Sequence, residues 1–331
     1  MNKNFNAIVA EDVEGKTVAS LKSITVDDLP DEDVLVKVEY STLNYKDGLA
    51  VSGKGRICRT TPLICGIDLA GTVLESKSND FKEGDRVLVN GFGLSESFNG
   101  GYSQKQRLKP EWLVRTPDEF SSEQAMAIGT AGYTSMLCVQ AILDAGITTD
   151  SGPVLVTGAT GGVGSVAVLL LAKLGYPVTA STGRLDAHSD FLRALGASEI
   201  ISRDELARES KALEKETWAA VVDTVGDQVL ATAIAQTKYE GLVAACGLAG
   251  GMGLASSVMP FILRGVTLRG IDSVMASQER RQHAWNSLVK LVDFKLLDEI
   301  YSVEPMNKVP ELADKIIAGK IRGRIVIDVN A

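Results

Sequence analysis

Pro153-Val-Leu-Val-Thr-Gly-Ala-Thr-Gly-Gly-Val-Gly-Ser165 runs straight into Val166-Ala-Val-Leu-Leu-Leu-Ala-Lys-Leu-Gly175, and the reading of this stretch decides the fold. Val154, Leu155 and Val156 form a short apolar run rich in β-branched residues, as a strand buried on both faces requires. Apolar residues then recur at Val163, Val166, Ala167, Leu170, Leu171 and Leu174, the stripe of a helix lying on a sheet. Gly175 ends that helix, and a second strand, Pro177–Ser181, follows directly. Gly158, Gly161, Gly162 and Gly164 therefore sit where a strand turns into a helix inside a βαβ unit. Free backbone N–H groups and the positive helix end are aimed there at a pyrophosphate, with no side chain in the way.

Ala159 stands at the first position of G-x-G-x-x-G, while Gly161 and Gly164 keep the other two. No Gly-Lys-Ser/Thr closes the motif, so it is a dinucleotide site and not a P-loop. Thr160, Gly161, Gly162, Val163 and Gly164 are the residues expected to hold the pyrophosphate. An NAD site places Asp or Glu about 20 residues on, against the ribose hydroxyls. Here the second strand ends in Ser181, Thr182, Gly183 and Arg184, with no carboxylate until Asp186. A guanidinium offers a 2′-phosphate a fork of charged donors, and the expected cofactor is NADPH.

The remaining bulk properties agree with an enzyme of this kind. A chain of 331 residues has room for two cores, and 45% apolar residues is the content of a globular protein. The net charge of −8 speaks against a nucleic-acid partner. No apolar stretch approaches ~20 uninterrupted residues, and the first residues lack a signal-peptide core, so no membrane partner is expected. Cys58, Cys65, Cys138 and Cys246 are scattered, with no C-x-x-C pair, and read as reduced thiols of a cytoplasmic protein.

Up to about Pro117 the chain reads as β-rich. Asn6–Ala10, Val34–Ser41, Asp68–Leu74 and Arg86–Val89 are short runs separated by turn clusters such as Lys82-Glu-Gly-Asp85. Ser121-Ser-Glu-Gln opens a helix with a capping hydroxyl and an early acid. After the glycine turn, further strands are expected at Glu199–Ile201, Ala220–Asp223, Gly241–Ala245 and Thr267–Ile271. Their alternation with helices is that of a doubly wound parallel sheet. The tail, Lys320–Asp328, is strand-like again and is expected to return to the β-rich part.

On Gly66-Ile-Asp-Leu-Ala-Gly-Thr-Val73, Glu83-Gly-Asp-Arg-Val87 and the Ala-x-Gly-Gly-Val-Gly turn, the chain resembles the medium-chain dehydrogenase/reductases. More narrowly, Leu43-Asn-Tyr-Lys-Asp47, Gly129-Thr-Ala-Gly-Tyr-Thr134, Ala245-Cys-Gly-Leu-Ala-Gly250 and Met259-Pro-Phe-Ile-Leu-Arg264 are similar to the YhdH/YhfP group. That group comprises quinone oxidoreductases and includes the acrylyl-CoA reductases. The resemblance implies an α/β fold. A GroES-like β-rich catalytic domain (1–120 and 300–331) would enclose a doubly wound Rossmann NADPH-binding domain (121–299). It also implies a homodimer paired through the last strand of the Rossmann sheet, Thr267–Ile271.

Zinc-dependent members of that family use a Cys, a Gly-His-Glu and a second Cys or Asp as ligands. Here those places read Asn44 and Gly66-Ile-Asp68, with no Cys or His near Gly129 and only His188 and His283 in the chain. A zinc site needs about three converging donors, so no metal is expected. Hydride then needs an acceptor that is already electrophilic, such as an α,β-unsaturated thioester (a short 2-enoyl-CoA like acrylyl-CoA) or a quinone. The protein's tasks are to orient the partners, to stabilise the developing oxyanion and to see the α-carbon protonated. A non-catalytic nucleotide-binding protein on the same fold is the reading from another class.

Asn44, Tyr45 and Asp47 are the catalytic candidates, at the place that faces the nicotinamide in relatives. Tyr45 is expected to touch the cofactor and to donate a hydrogen bond or a proton, Asn44 to donate through its amide, and Asp47 to hold Lys46 or nearby backbone. Thr130 and Thr134 are candidates for the nicotinamide ring. Arg203 is expected beside Arg184 on the adenosine phosphate, and Leu248, Ile262 and Ser273 around the nicotinamide half. Lys54, Arg56 and Arg59 are the only clustered cations available for an anionic CoA.

Overall fold

The computed structural model describes residues 4–331, and the chain divides into two compact units. One takes the chain up to Thr130 with Ser273–Val289 and Tyr301–Ala331; the other is Ala131–Asp272 with Lys290–Ile300.

The second unit is built around the glycine turn. Its strands are Val154–Val156, Val178–Thr182, Glu199–Ser202, Trp218–Asp223, Thr237–Ala245 and Thr267–Gly270, all parallel. Numbered one to six along the chain, they lie in the order 3-2-1-4-5-6, the Rossmann arrangement. Val154, Leu155 and Val156 are fully buried, as a central strand covered on both faces demands. The helix Gly162–Lys173 buries every residue from Gly164 to Leu171, so it is enclosed more completely than a single apolar stripe would require. Gly175, at φ +86°, closes it where expected.

The first unit is β-rich. Val34–Leu43, Asp68–Ser76 and Arg86–Asn90 are consecutive antiparallel neighbours in a seven-stranded sheet. The tail strand is Arg324–Asp328, shorter than expected, and it pairs antiparallel with Val34–Leu43 and parallel with Tyr301–Pro305. A smaller sheet holds Lys16–Ile24, Phe5–Val13 and Leu63–Ile64. Lys16–Ile24 went unread in the sequence because its residues are mostly half-exposed, leaving no apolar run to see.

The first boundary lies after Thr130 and not at 120, while the return at 300 falls within one residue of the observed Tyr301. Ser273–Val289 joins the β-rich unit along with residues 121–130, and two contacts explain the Ser273–Val289 segment. The buried guanidinium of Arg281 donates to the carbonyls of Asn90, Ser273 and Val274. Trp285 meets Phe120 edge-on at 5.7 Å between centroids. The helix Ser122–Asp144 opens as expected, with Ser121 Oγ accepting from the Gln124 amide and Gln124 Oε1 from the Ser121 amide. By length and composition it could cross a bilayer, but 94% of its most apolar window is buried in the protein.

Candidate active site

In the Rossmann unit, Gly158 and not Ala159 does the turning, with φ +60° immediately after the central strand. That is why Ala is tolerated at the next position. Gly164 fulfils the packing role: a Cβ there would lie 2.3 Å from the Gly158 carbonyl oxygen and 2.6 Å from the Ala159 Cα. Gly161 caps the helix, and a Cβ on it would meet only the Gly158 oxygen, at 3.2 Å.

At the carboxyl end of Val178–Thr182 the expected residues come together. Arg184 Nη2 donates to Thr160 Oγ1 at 3.0 Å, and Thr160 Oγ1 lies 3.3 Å from Thr182 Oγ1. The Arg203 guanidinium lies against Gly183, so close that a Cβ there would come within 2.9 Å of its central carbon. Glu205 turns away to accept from the Ser202 amide. Ser181 Oγ is buried with no hydrogen-bond partner among the described residues. A buried orphan hydroxyl, two gathered guanidiniums and an open helix N-terminus fit the adenosine-phosphate end of NADP.

In the β-rich unit, Asn44 and Asp47 form the capping box of the helix Tyr45–Ser52: the Asn44 amide donates to Asp47 Oδ2 at 2.9 Å. The box is also part of a buried polar network. Asn44 Nδ2 donates to Asp47 Oδ2 at 3.0 Å and to Asp68 Oδ2 at 2.8 Å, while Asn44 Oδ1 accepts from Arg324 Nη1 at 3.1 Å. Asp47 Oδ1 accepts the Ile67 amide at 2.9 Å. Asp68 also accepts from Asn90 Nδ2, the Thr130 amide and the Thr130 hydroxyl.

Gly129 makes the Thr130 contact possible. At φ 51° and ψ −161° it breaks the helical ladder of Ser122–Asp144, which releases the Thr130 N–H toward Asp68. A Cβ on Gly129 would lie 2.6 Å from Arg324 Nη2 and 2.7 Å from Thr42 Cγ2. Arg324 itself is 3% exposed and donates to the carbonyls of Ala127 and Leu43 and to Thr42 Oγ1.

Two carboxylates and one guanidinium are thus enclosed together, which unbalances the charge. Burial, and then Asp68 beside it, push the Asp47 carboxyl up to about 7, while its hydrogen bonds to Asn44 and Ile67 pull the other way. With Asp47 protonated, one carboxylate faces one guanidinium. Burial lowers Arg324, and Asp68 and Asp47 oppose that shift.

Several sequence-based roles change. Both amide hydrogens of Asn44 are committed to carboxylates, so it positions the network and has none left for a substrate oxygen. Asp47 holds backbone, as expected, but not Lys46, which pairs with Glu96 at 2.6 Å. The Thr130 hydroxyl is spent on Asp68. Tyr45, by contrast, is 36% exposed on the first turn of its helix. Thr134 is buried, Leu248 and Ile262 are exposed, and Ser273 is held through its carbonyl by Arg281. Lys54 pairs with Asp314 and Arg59 with Glu96, so these cations are already partnered in part. Asp68, Asn90 and Arg324 were missed. Asp68 enters the sequence reading only at a vacated ligand position, and nothing in the strand-like tail marks Arg324 for burial.

The comparisons bear on the whole length. Residues 30–137 match the alcohol dehydrogenase GroES-like domain, and residues 162–293 match the zinc-binding dehydrogenase family. The chain is 48% identical to acrylyl-CoA reductase AcuI of Ruegeria pomeroyi, over 99% of this chain and 100% of that protein. The YhdH oxidoreductase of Salmonella enterica, solved in complex with NADP, superposes with a TM-score of 0.95 at 49% identity. It covers 98% of this chain and 99% of its own. YhfP of Bacillus subtilis, solved with NAD bound, gives 0.95 at 42% identity over 98% and 99% of the two chains. The chain therefore belongs to the medium-chain dehydrogenase/reductase family, in the group of the AcuI, YhdH and YhfP oxidoreductases.

Proposed function

We propose that this chain is an NADPH-dependent oxidoreductase that reduces the activated double bond of a short 2-enoyl-CoA, with acrylyl-CoA as the preferred substrate, without a catalytic metal. The observation that carries the reading is the saturation of Asn44 and Asp68. At the place where zinc-dependent relatives carry ligands, every polar atom of Asn44 and both oxygens of Asp68 are engaged within the protein. Such a set offers a Lewis acid nothing, so the acceptor must arrive already polarised.

NADPH would supply a hydride to the β-carbon of the enoyl thioester. The chain's own residues do the rest. The backbone of Thr160–Gly164 would hold the pyrophosphate, and Arg184 and Arg203 would hold the 2′-phosphate, which would favour NADPH over NADH. Tyr45, the exposed donor of its helix turn, hydrogen-bonds the thioester oxygen as charge builds there. The Asn44–Asp47–Asp68–Arg324 network fixes the turn that carries Tyr45. The relatives named for acrylyl-CoA reduction and solved with NADP support this reading.

Measuring kcat/KM for acrylyl-CoA against a soluble benzoquinone tests it. We expect the thioester to be preferred at least about tenfold, with activity surviving exhaustive chelation and with Tyr45→Phe slowing the enoyl reaction. A quinone preference of that size, with Tyr45→Phe silent, overturns the substrate and the role of Tyr45. Binding of NADPH with no turnover of either returns the protein to a non-catalytic reading.

The same proposal includes a cytoplasmic homodimer. Thr267–Gly270 is the outer strand of its sheet, and Met252, Val258, Ile262 and Leu263 are exposed on the segment before it. Light scattering at the mass of one chain removes the dimer.

A further inference from the structure

The β-rich unit carries a cleft of about 220 Å³ to which the reaction so far gives no task. Pro30, Pro62, Phe98 and Trp112 form its apolar walls, and Glu32, Asn99 and Arg107 supply its polar groups. A whole small-ligand site occupies roughly 300–1,000 Å³, so this one fits a single ring system and not an entire ligand. Its polar groups are of both kinds. Asn99 Oδ1 is taken by the Ile64 amide at 3.0 Å, which leaves the Asn99 amine to donate. The Glu32 carboxylate can only accept. A flat base with an amine beside a ring nitrogen satisfies both, and adenine is such a base.

The aromatic wall is held ready for a ligand. Phe98 is 39% exposed, yet its loop is fixed. The Ser95 amide donates to the Phe98 carbonyl at 2.8 Å, and the Phe98 amide donates to the Gly93 carbonyl at 3.1 Å. In the same loop Phe92 and Ser95 hold φ of 52° and 65°, a costly conformation for non-glycine residues that concentrates at ligand clamps. Cations border the slot. Lys109 Nζ stands 5.3 Å from the Phe98 ring and from the Trp112 ring. Arg59, next to Thr60 of the cleft wall, is 71% exposed and reaches Glu96 only at 3.6 Å, since Lys46 holds Glu96 at 2.6 Å. A base-sized apolar slot edged by cations is the make-up of a nucleotide site.

We propose that this cleft binds the adenine of the coenzyme A thioester, with Arg59 and Lys109 facing its phosphates. The proposal rests on the reading of the substrate as a CoA thioester and extends it to the end that does not react. The path to the reacting end is short. Thr60 and Ser97 line the cleft, their neighbours Arg59 and Glu96 meet, and Glu96 holds Lys46, next to Tyr45. An extended pantetheine arm follows that path and brings the thioester to Tyr45. Binding energy from the nucleotide then positions an acyl group too small to be held by its own contacts.

Two measurements test it. In the first, the NADP-saturated full chain is irradiated with 8-azidoadenine-labelled CoA, digested and mapped by mass spectrometry. We expect label on the peptides that carry Phe98 or Trp112, suppressed by excess CoA. Label elsewhere, label that CoA does not suppress, or no label overturns the proposal. This readout needs no turnover. A labelled cleft in a protein that reduces no enoyl-CoA would uphold the site and overturn the reaction assigned to it. In the second, kcat/KM is compared for acrylyl-CoA and for acryloyl-pantetheine, which lacks the nucleotide. The ratio of the two should fall about tenfold in Phe98→Ala, the order of loss of one base–aromatic stack, and return in Phe98→Trp. A ratio that is the same in the parent and in Phe98→Ala takes the adenine out of this cleft.

Discussion

At Gly158–Gly164 the functional groups are backbone amides delivered by seven consecutive residues. Around Asn44 and Asp47 they are side chains drawn from Asp68, Asn90, Thr130 and Arg324, up to 280 residues away. Both regions depend on a glycine that lets two pieces of chain approach, Gly164 in the first and Gly129 in the second. The difference lies in how each tolerates loss. A turn of amides has no member that must be neutralised by another. A buried network of two carboxylates and one guanidinium fails as a unit when one partner goes.

The sharpest way to break the comparison is Arg324→Met. It leaves Asp68 and Asp47 enclosed without their cation, and we expect a loss of about 3–5 kcal/mol in denaturant unfolding. Arg184→Met, an equal truncation at the other region, should leave stability within about 0.5 kcal/mol. Equal stability losses for the two would contradict a network that acts as a unit.

Gly129→Ala comes next. The new Cβ meets Arg324 and Thr42, and its backbone angles suit glycine alone. A loss of about 1–3 kcal/mol is expected, with kcat reduced while the dissociation constant of NADPH, measured by fluorescence, stays the same. A weakened NADPH with kcat intact would mean that Gly129 serves the wrong region.

The nucleotide region should answer in binding. Arg184→Ala should weaken NADPH by about 1.5–3 kcal/mol and leave NADH nearly unchanged, by titration calorimetry. Equal effects on the two cofactors would remove the 2′-phosphate from the argument.

The smallest effect is one of pH. Asp47 is raised from 3.8 in the unfolded chain to about 7, so the folded state holds a proton that the unfolded state has released. Stability from this group therefore falls as pH rises from about 4 to about 7 and is level beyond. Asp47→Asn should flatten that slope in urea midpoints taken across the window. A slope unchanged in the variant would assign the proton to another group.

The same contrast explains what could be read from the sequence. The turn, its strand and its helix were legible because local spacing encodes them, and Ser181–Arg184 could be placed by counting from the turn. Asn44, Tyr45 and Asp47 were found as a motif, but their division of labour was not. Nothing near Asn44 says that its amide will be consumed by Asp68, 24 residues on. Arg324 opens an apolar strand like any edge cation, and Arg281 sits in a charged helix start. Their burial follows only from which strands become neighbours. The assignment of Ser273–Val289 failed for that reason, since its anchor is one guanidinium reaching the Asn90 carbonyl.

The most direct measurement is the fate of the transferred hydrogen. Acrylyl-CoA is turned over with NADPH deuterated at the transferring position, in ordinary water, and the propionyl-CoA formed is analysed by mass spectrometry and NMR. Hydride delivery to the β-carbon predicts one deuterium per product, all of it at C3, with the C2 hydrogen taken from solvent. Product carrying no deuterium, or deuterium at C2, would contradict the reaction assigned to this chain.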